Sequence, residues 1–258
     1  MHPPAYPSPR SLLSGKTVVV TAAAGTGIGF STAKRCIEEG ARVLISDSHA
    51  RRLGQAAEEL SALAGQPVFS MPCDVTQEAE VQQLVDTAVN RLGAIDVLVN
   101  NAGLGGTAQL VDMTDEQWSR VLDVSLTGTM RVTRAALRPM LARGSGVIVN
   151  NASVLGWRAQ AGQSHYAAAK AGVMAFTRCV AMEVATAGIR VNAVSPSLAA
   201  HPFLAKVTSE QVLAELTARE ALGRAAEPWE VANVIVFLAS DLSSYMTGEV
   251  ISVSSQHP

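Results

Sequence analysis

The strongest constraint on this chain is an alternation of short, wholly apolar runs with longer helix-like stretches. Residues 16–21 (KTVVVT), 42–47 (RVLISD), 67–71, 95–100 (IDVLVN), 146–151 (GVIVNN), 190–195 (RVNAVS) and 250–253 read as strands. Helices are expected between them over 27–39, 50–63, 78–91, about 115–142, 164–186, 202–219 and 228–239. The strand runs are rich in Val and Ile and lack polar alternation, as suits parallel strands covered on both faces. Strand–helix repetition of this kind folds as a doubly wound α/β sheet, here of about seven strands with helices on both faces. No repeat or linker divides it, so the expectation is a single domain over 15–258 behind a loose, proline-bearing tail over 1–14.

Directly after the first strand comes Thr21-Ala22-Ala23-Ala24-Gly25-Thr26-Gly27-Ile28-Gly29, opening a helix. Glycines there let backbone approach a pyrophosphate, and a helix N-terminus offers free N–H groups to it. A loop of this sort alone is weak evidence, since it also serves as a tight turn. Its context strengthens it. Asp47 ends the second strand, where an acid takes the adenosine ribose hydroxyls of NAD and repels a 2′-phosphate. NAD is therefore favoured over NADP. Arg51 and Arg52 follow closely and are read either as 2′-phosphate ligands or as the solvated face of the second helix. Gly15-Lys16-Thr17 is not a P-loop, because it precedes a strand and lacks the earlier glycine.

Charged residues make up 16% of the chain, where about 25% is usual. That deficit hints at a buried subunit interface. A net charge of −2 without any basic run argues against nucleic acid or an anionic membrane as partner. Cys36, Cys73 and Cys179 form no metal or redox spacing and are expected as buried thiols. With no signal-like leader and no bilayer-length apolar run, the expectation is a cytoplasmic protein acting on a small molecule, without metal.

Tyr166 and Lys170 lie four apart on an expected helix and so share a face. A cation beneath a phenol favours the phenolate, which turns tyrosine into a general acid/base. Ser153 follows the fifth strand, thirteen residues before Tyr166, at the carboxyl edge of the sheet where doubly wound folds bind ligands. With these residues in place, the sequence resembles the short-chain dehydrogenase/reductase family over about residues 15–253. Asp74-Val75, Asn100-Asn101-Ala102-Gly103, Arg190-Val-Asn192-Ala-Val-Ser-Pro196 and Leu222-Gly223-Arg224 stand where the family has its further motifs. The resemblance implies hydride transfer between a nicotinamide and a carbonyl carbon, with Ser153, Tyr166 and Lys170 catalytic. It implies cofactor contacts from Thr21, Ala23, Gly25 to Gly29, Asp47, Asp74, Val75, Asn101, Ala102, Gly103, Tyr166, Lys170 and Pro196. It also implies a homodimer or homotetramer built on the two long central helices.

Several positions depart from the family pattern. Ala22 replaces the first loop glycine, and alanine tolerates positive φ poorly, so a changed loop path is expected. The asparagine that joins the catalytic set is Ser125. Pro-Gly becomes Pro196-Ser197, a nicotinamide-capping threonine aligns with His201, and Val253-Ser-Ser-Gln256 replaces Val-Asp-Gly-Gly. His165 is read as structural. The segment 198–216 offers Phe203, Leu204, Val207, Val212 and Leu213 as an apolar substrate wall or as helix seating. The leading expectation is an NAD-dependent secondary alcohol/ketone oxidoreductase acting on a hydrophobic hydroxyacyl thioester or alicyclic alcohol. The alternatives are an NADPH-dependent ketoacyl-type reductase and a non-enzymatic dinucleotide-binding protein.

Overall fold

The computed structural model describes residues 2–200 and 210–256. Seven strands form one parallel sheet: β1 (Thr17–Val20), β2 (Arg42–Asp47), β3 (Phe69–Pro72), β4 (Val97–Asn100), β5 (Gly146–Asn151), β6 (Ile189–Pro196) and β7 (Val250–Val253), in the order β3-β2-β1-β4-β5-β6-β7. The central strands β1 and β4 are buried along their whole length, as their unbroken Val/Leu runs require. This is the expected doubly wound, Rossmann-type architecture.

Helices α1 (Ile28–Glu38), α2 (Ala50–Ala64), α3 (Glu78–Leu92), α4 (Asp115–Leu122), α5 (Gly128–Arg143), α6 (Ser164–Val184), α7 (Glu210–Ala218) and α8 (Pro228–Ala239) complete the fold. One core joins the β1–β2 side of the sheet to α1, α2 and α8, through residues such as Val18, Ile45, Ala33, Leu53 and Ile235. A second packs Leu44, Leu98 and Ile148 against α3 and α5, through Leu84, Val132 and Met140, and a small third gathers Ala152, Val173, Met174 and Ala193. No helix among the described residues is long and apolar enough to cross a membrane.

The expected helix over 115–142 is interrupted: a single π-helical turn, Asp123–Thr127, separates α4 from α5 and carries Ser125. Such a turn inserts one residue without ending the helix, so the apolar stripe of α5 is shifted by one residue relative to that of α4. Cys36 and Cys73 are buried as expected, but Cys179 is exposed on α6. His201, Phe203, Leu204 and Val207 lie outside the described residues; Val212 is exposed on α7 and Leu213 half-buried. In the leading segment, Leu13 is fully buried, and the backbone N–H groups of Arg10 and Leu12 donate to Glu39 Oε2 at 2.9 and 3.0 Å.

In register, Val20 faces both Ile45 of β2 and Val99 of β4. The sheet order reverses between β1 and β4, which opens a crevice beyond their carboxyl ends. Thr21, Asp47, Asn101, Ser153 and Pro196 all lie at or just beyond strand ends on that edge. A separate concavity of about 580 Å³, lined by Lys16, Asp96, Arg190 and Tyr245 among others, lies at the amino edge of the sheet, away from these residues.

Candidate active site

Three strand ends are tied together by amides. Thr21 Oγ1 accepts from the N–H groups of Asn101 and Ala102 at 3.0 and 3.1 Å. Asn101 Nδ2 donates to the carbonyls of Thr21 (3.2 Å) and Ala22 (3.0 Å), and its Oδ1 accepts from Asn151 Nδ2 at 2.9 Å. Beneath them, Asn100 Nδ2 donates to Asn150 Oδ1 and Thr133 Oγ1, and Asn150 Nδ2 to Thr177 Oγ1. Buried amides joined in this way fix the relative heights of β1, β4, β5, α5 and α6.

The turn after β1 carries its strain on Ala22, at φ 50°, while Gly25 sits at φ 97°. Ala22 thus adopts the left-handed backbone that the replaced glycine would have taken without strain. Gly29, one residue into α1, is a steric necessity: a Cβ there would collide with the Ala22 carbonyl and Asn101 Nδ2. Left-handed backbone at a non-glycine residue costs about 1 kcal/mol. Ala22→Gly should accordingly stabilise the folded state by up to about 1 kcal/mol in urea denaturation. An unchanged or lowered stability would mean that the loop relieves the strain elsewhere.

Asp47 is 9% exposed, and both its oxygens are engaged by backbone: Oδ2 accepts from Ala24 N at 3.2 Å and Oδ1 from His49 N at 2.9 Å. Its carboxylate therefore fastens the glycine loop to the start of α2. Arg51 and Arg52 are exposed on the first turn of that helix. Asp74 Oδ1 accepts from Thr76 N and Thr76 Oγ1, and Val75 is buried against Gly128, where a Cβ would strike it.

Tyr166 and Lys170 sit one turn apart at the start of α6. Lys170 Nζ is 5.6 Å from the Tyr166 ring centroid and donates to the Asn151 carbonyl at 2.6 Å. Burial pushes the Lys170 ammonium down to about 8. Burial pushes the Tyr166 phenol above the ordinary tyrosine value, and a hydrogen bond with Ser153 works the other way. The downward pull expected from Lys170 is thus not the dominant influence on Tyr166, because taking a phenolate out of water costs more. Ser153, 9% exposed at the end of the β5 extension, accepts from Leu155 N at 3.2 Å.

The chain after β4 runs along this group. Cβ atoms built on Gly103 and Gly105 would lie 3.3 Å from Lys170 Nζ and 3.7 Å from the Tyr166 ring, and one on Gly106 would lie 3.4 Å from His165 Nε2. Ser125 is fully buried and pins this stretch, accepting from Leu104 N (2.9 Å) and donating to Leu104 O (3.0 Å). His165 is buried on a different helix face from Tyr166. The structure thus brings Ser153, Tyr166, Lys170, Asn101 and Gly103 to one edge, with Ser125 behind Leu104. Sequence reasoning missed Asn151. Its signal was an amide ending an apolar strand two residues before Ser153, a group that has to find partners.

A family model described as "Enoyl-(Acyl carrier protein) reductase" matches residues 22–255. A crystal structure of a short chain dehydrogenase from Mycobacterium smegmatis superposes with a TM-score of 0.89 at 56% identity, covering 100% of this chain and 99% of that one. The chain is a short-chain dehydrogenase/reductase. Among curated relatives of this short-chain dehydrogenase/reductase, the (5R,7aS)-5-hydroxy-7a-methyl-1-oxo-2,3,5,6,7,7a-hexahydro-1H-indene-carboxyl-CoA reductase of Mycobacterium tuberculosis is 66% identical over 250 residues, 96% of this chain and 95% of the relative. The cis-4-hydroxycyclohexanecarboxylate dehydrogenase of Sinomonas cyclohexanicum is 42% identical over 240 residues, 92% of this chain and 94% of the relative. Its relatives are oxidoreductases acting on hydroxyl or ketone groups, and the family uses NAD(P). The donor-rich turn at the start of α1, with Gly29 held free of a side chain, fits a dinucleotide pyrophosphate in kind.

Proposed function

We propose that this chain is a cytoplasmic, NAD-dependent oxidoreductase that interconverts a secondary alcohol and a ketone on a hydrophobic alicyclic or hydroxyacyl compound. The observation that carries this reading is the convergence of Ser153, Tyr166 and Lys170 at the carboxyl edge of β5. The Ser153 hydroxyl holds the substrate oxygen. Tyr166 Oη gives that oxygen a proton in reduction and takes it back in oxidation. Lys170, anchored on the Asn151 carbonyl, favours the charged phenolate and holds the nicotinamide ribose. Ser125 acts through Leu104, by fixing the stretch that walls Tyr166. The nicotinamide, when bound, supplies or accepts the hydride.

The dinucleotide contacts are assigned to Thr21, Ala23, Gly25, Thr26, Gly27, Ile28 and Gly29 at the pyrophosphate turn, and to Asp47 at the adenosine ribose. Asp74 and Val75 are assigned to the adenine, and Asn101, Ala102, Gly103 and Pro196 to the remaining wall. Asp47 supports NAD, because its carboxylate lies at the end of β2, where a 2′-phosphate would meet like charge. An alicyclic ring bearing an acyl group is favoured by similarity to the two curated relatives, whose names describe hydroxylated ring carboxyl compounds.

The deciding experiment titrates the purified protein with NADH and NADPH by nicotinamide fluorescence. It then tests cis-4-hydroxycyclohexanecarboxylate, 3-hydroxybutyryl-CoA and a hydroxysteroid for oxidation. NADH should bind at least about tenfold tighter, a difference of about 1.4 kcal/mol. Tighter NADPH binding would hand the site to Arg51 or Arg52 and the NADPH-dependent reductase reading. Dinucleotide binding without turnover of any alcohol would favour a non-enzymatic role.

A homodimer or homotetramer is proposed on the exposed apolar side chains of the two central helical stretches, Trp118 and Leu141 on α4 and α5 and Met182 on α6. Light scattering at micromolar concentration should return a multiple of the 26.9 kDa chain mass. A monomer would refute it.

A further inference from the structure

The departure at the C-terminus, Ser254-Ser255-Gln256, meets the segment after α7 and the Ser153 loop in a polar network that the proposed chemistry does not use. Gln256 lies between opposite charges. Its Oε1 accepts from Arg158 Nη1, its backbone oxygen accepts from Arg158 Nη2 at 3.0 Å, and its Nε2 donates to Glu220 Oε1 at 2.7 Å. Glu220 is 4% exposed; its Oε2 accepts from Ser255 Oγ at 2.7 Å, and its Oε1 also accepts from Leu198 N at 3.4 Å. Arg158 stands five residues past Ser153 and is held to that loop by its N–H on the Val154 carbonyl, at 2.9 Å.

Among the described residues, neither Arg158 nor Glu220 forms an ion pair with an oppositely charged side chain. A buried carboxylate and a guanidinium each need a partner. A primary amide meets both needs at once, offering its oxygen to the cation and its N–H to the anion. Neither a carboxylate nor an ammonium in that place could do so. The Gln256 side chain thus joins the C-terminal stretch to the Ser153 loop and to Glu220 after α7, and Glu220 in turn holds the backbone two residues beyond Pro196.

We propose that Gln256 is a positioning residue for the substrate, coupling Arg158 in the Ser153 loop to Glu220 and thereby setting the spacing between that loop and the backbone at Leu198. The proposal rests on the reading above in which Ser153 holds the substrate oxygen.

The test uses the full chain and whichever of the three alcohols above the wild type oxidises fastest. Hydrogen exchange over residues 153–158 and 197–199 of the NADH-bound protein is read in parallel, so that a result follows even without turnover. Gln256→Leu should raise the substrate KM about tenfold, with kcat and NADH affinity within about threefold of wild type, and should speed exchange in both segments. Gln256→Glu should do the same, because it sets a carboxylate against Glu220. The double variant Glu220→Gln/Gln256→Glu exchanges the amide and the carboxylate, and should recover much of the KM and slow exchange over residues 153–158, while residues 197–199 stay fast because an amide nitrogen then faces the Leu198 N–H. An unmoved KM and unmoved exchange in Gln256→Leu, or a double variant no better than the singles, would overturn the proposal. Turnover surviving in Tyr166→Phe would instead overturn the reading of the site, whatever the Gln256 variants show.

Discussion

Replacing Tyr166 by Phe should lower kcat by about 10³-fold while leaving NADH affinity within about twofold of wild type. The ring would keep its packing against the Gly103–Gly106 stretch, so the change removes one oxygen and little else. That oxygen is the group proposed to exchange a proton with the substrate; it lies beside Ser153 and one helical turn from Lys170. Burial holds the phenol protonated well past neutral pH. Ketone reduction should therefore keep its rate through neutrality, change first as Lys170 gives up its proton at about 8, and fall further as pH rises through the raised tyrosine value. Oxidation, which needs the phenolate, should climb over the same alkaline range. Initial rates in both directions across pH 6–10.5 check this, with stopped titrations of NADH binding alongside. A Tyr166→Phe protein that keeps even a tenth of its kcat would remove Tyr166 from the proton step.

The layout of this site was legible because the strand ends follow from the apolar runs of the sequence. Seven apolar runs in alternation with helices leave few topologies, and a parallel sheet places every strand's carboxyl end on one edge. Ser153, Asp47 and Asn101 were therefore assignable to that edge before any contact was known. What stayed hidden depends on contacts between residues far apart in sequence. The π turn around Ser125 stayed hidden because its one inserted residue shifts the helical stripe without ending the helix. The Asn151 carbonyl that receives Lys170 is a main-chain atom, common to every residue type. Gln256 stood out as a departure, yet its role needed Arg158 and Glu220, 98 and 36 residues away. The strain at Ala22 shows the limit in the other direction. A propensity rule expected the loop to avoid positive φ, and the hydrogen bonds from Asn101 to the Thr21 and Ala22 carbonyls hold it there instead.

Lys170→Met should abolish measurable turnover and yet yield a more stable protein at neutral pH. Lys170 is 3% exposed, and among the described residues its ammonium has one hydrogen bond and no carboxylate partner. Burial brings it from 10.5 down to about 8 in the folded chain, which is a penalty on the charged form. A shift of that size corresponds to a few kcal/mol at most, and losing the bond to the Asn151 carbonyl returns about 1 kcal/mol of it. The net gain for the methionine variant at pH 7 should be about 1–2 kcal/mol, read as a raised denaturation midpoint. The sign fixes the pH dependence. Below about 8 both folded and unfolded wild-type chains carry the proton, so the penalty is fully present. Between about 8 and 10.5 the folded chain has released it while the unfolded chain still holds it, so wild-type stability rises through that window. The advantage of the variant should shrink across the same window, measured as the difference between the two midpoints at each pH. A difference that stays flat from pH 7 to 10 would mean that Lys170 carries no burial penalty. A variant less stable than wild type at pH 7 would mean that its bond to Asn151 outweighs the cost of the buried charge. The chain would then hold this lysine for structure as well as for chemistry.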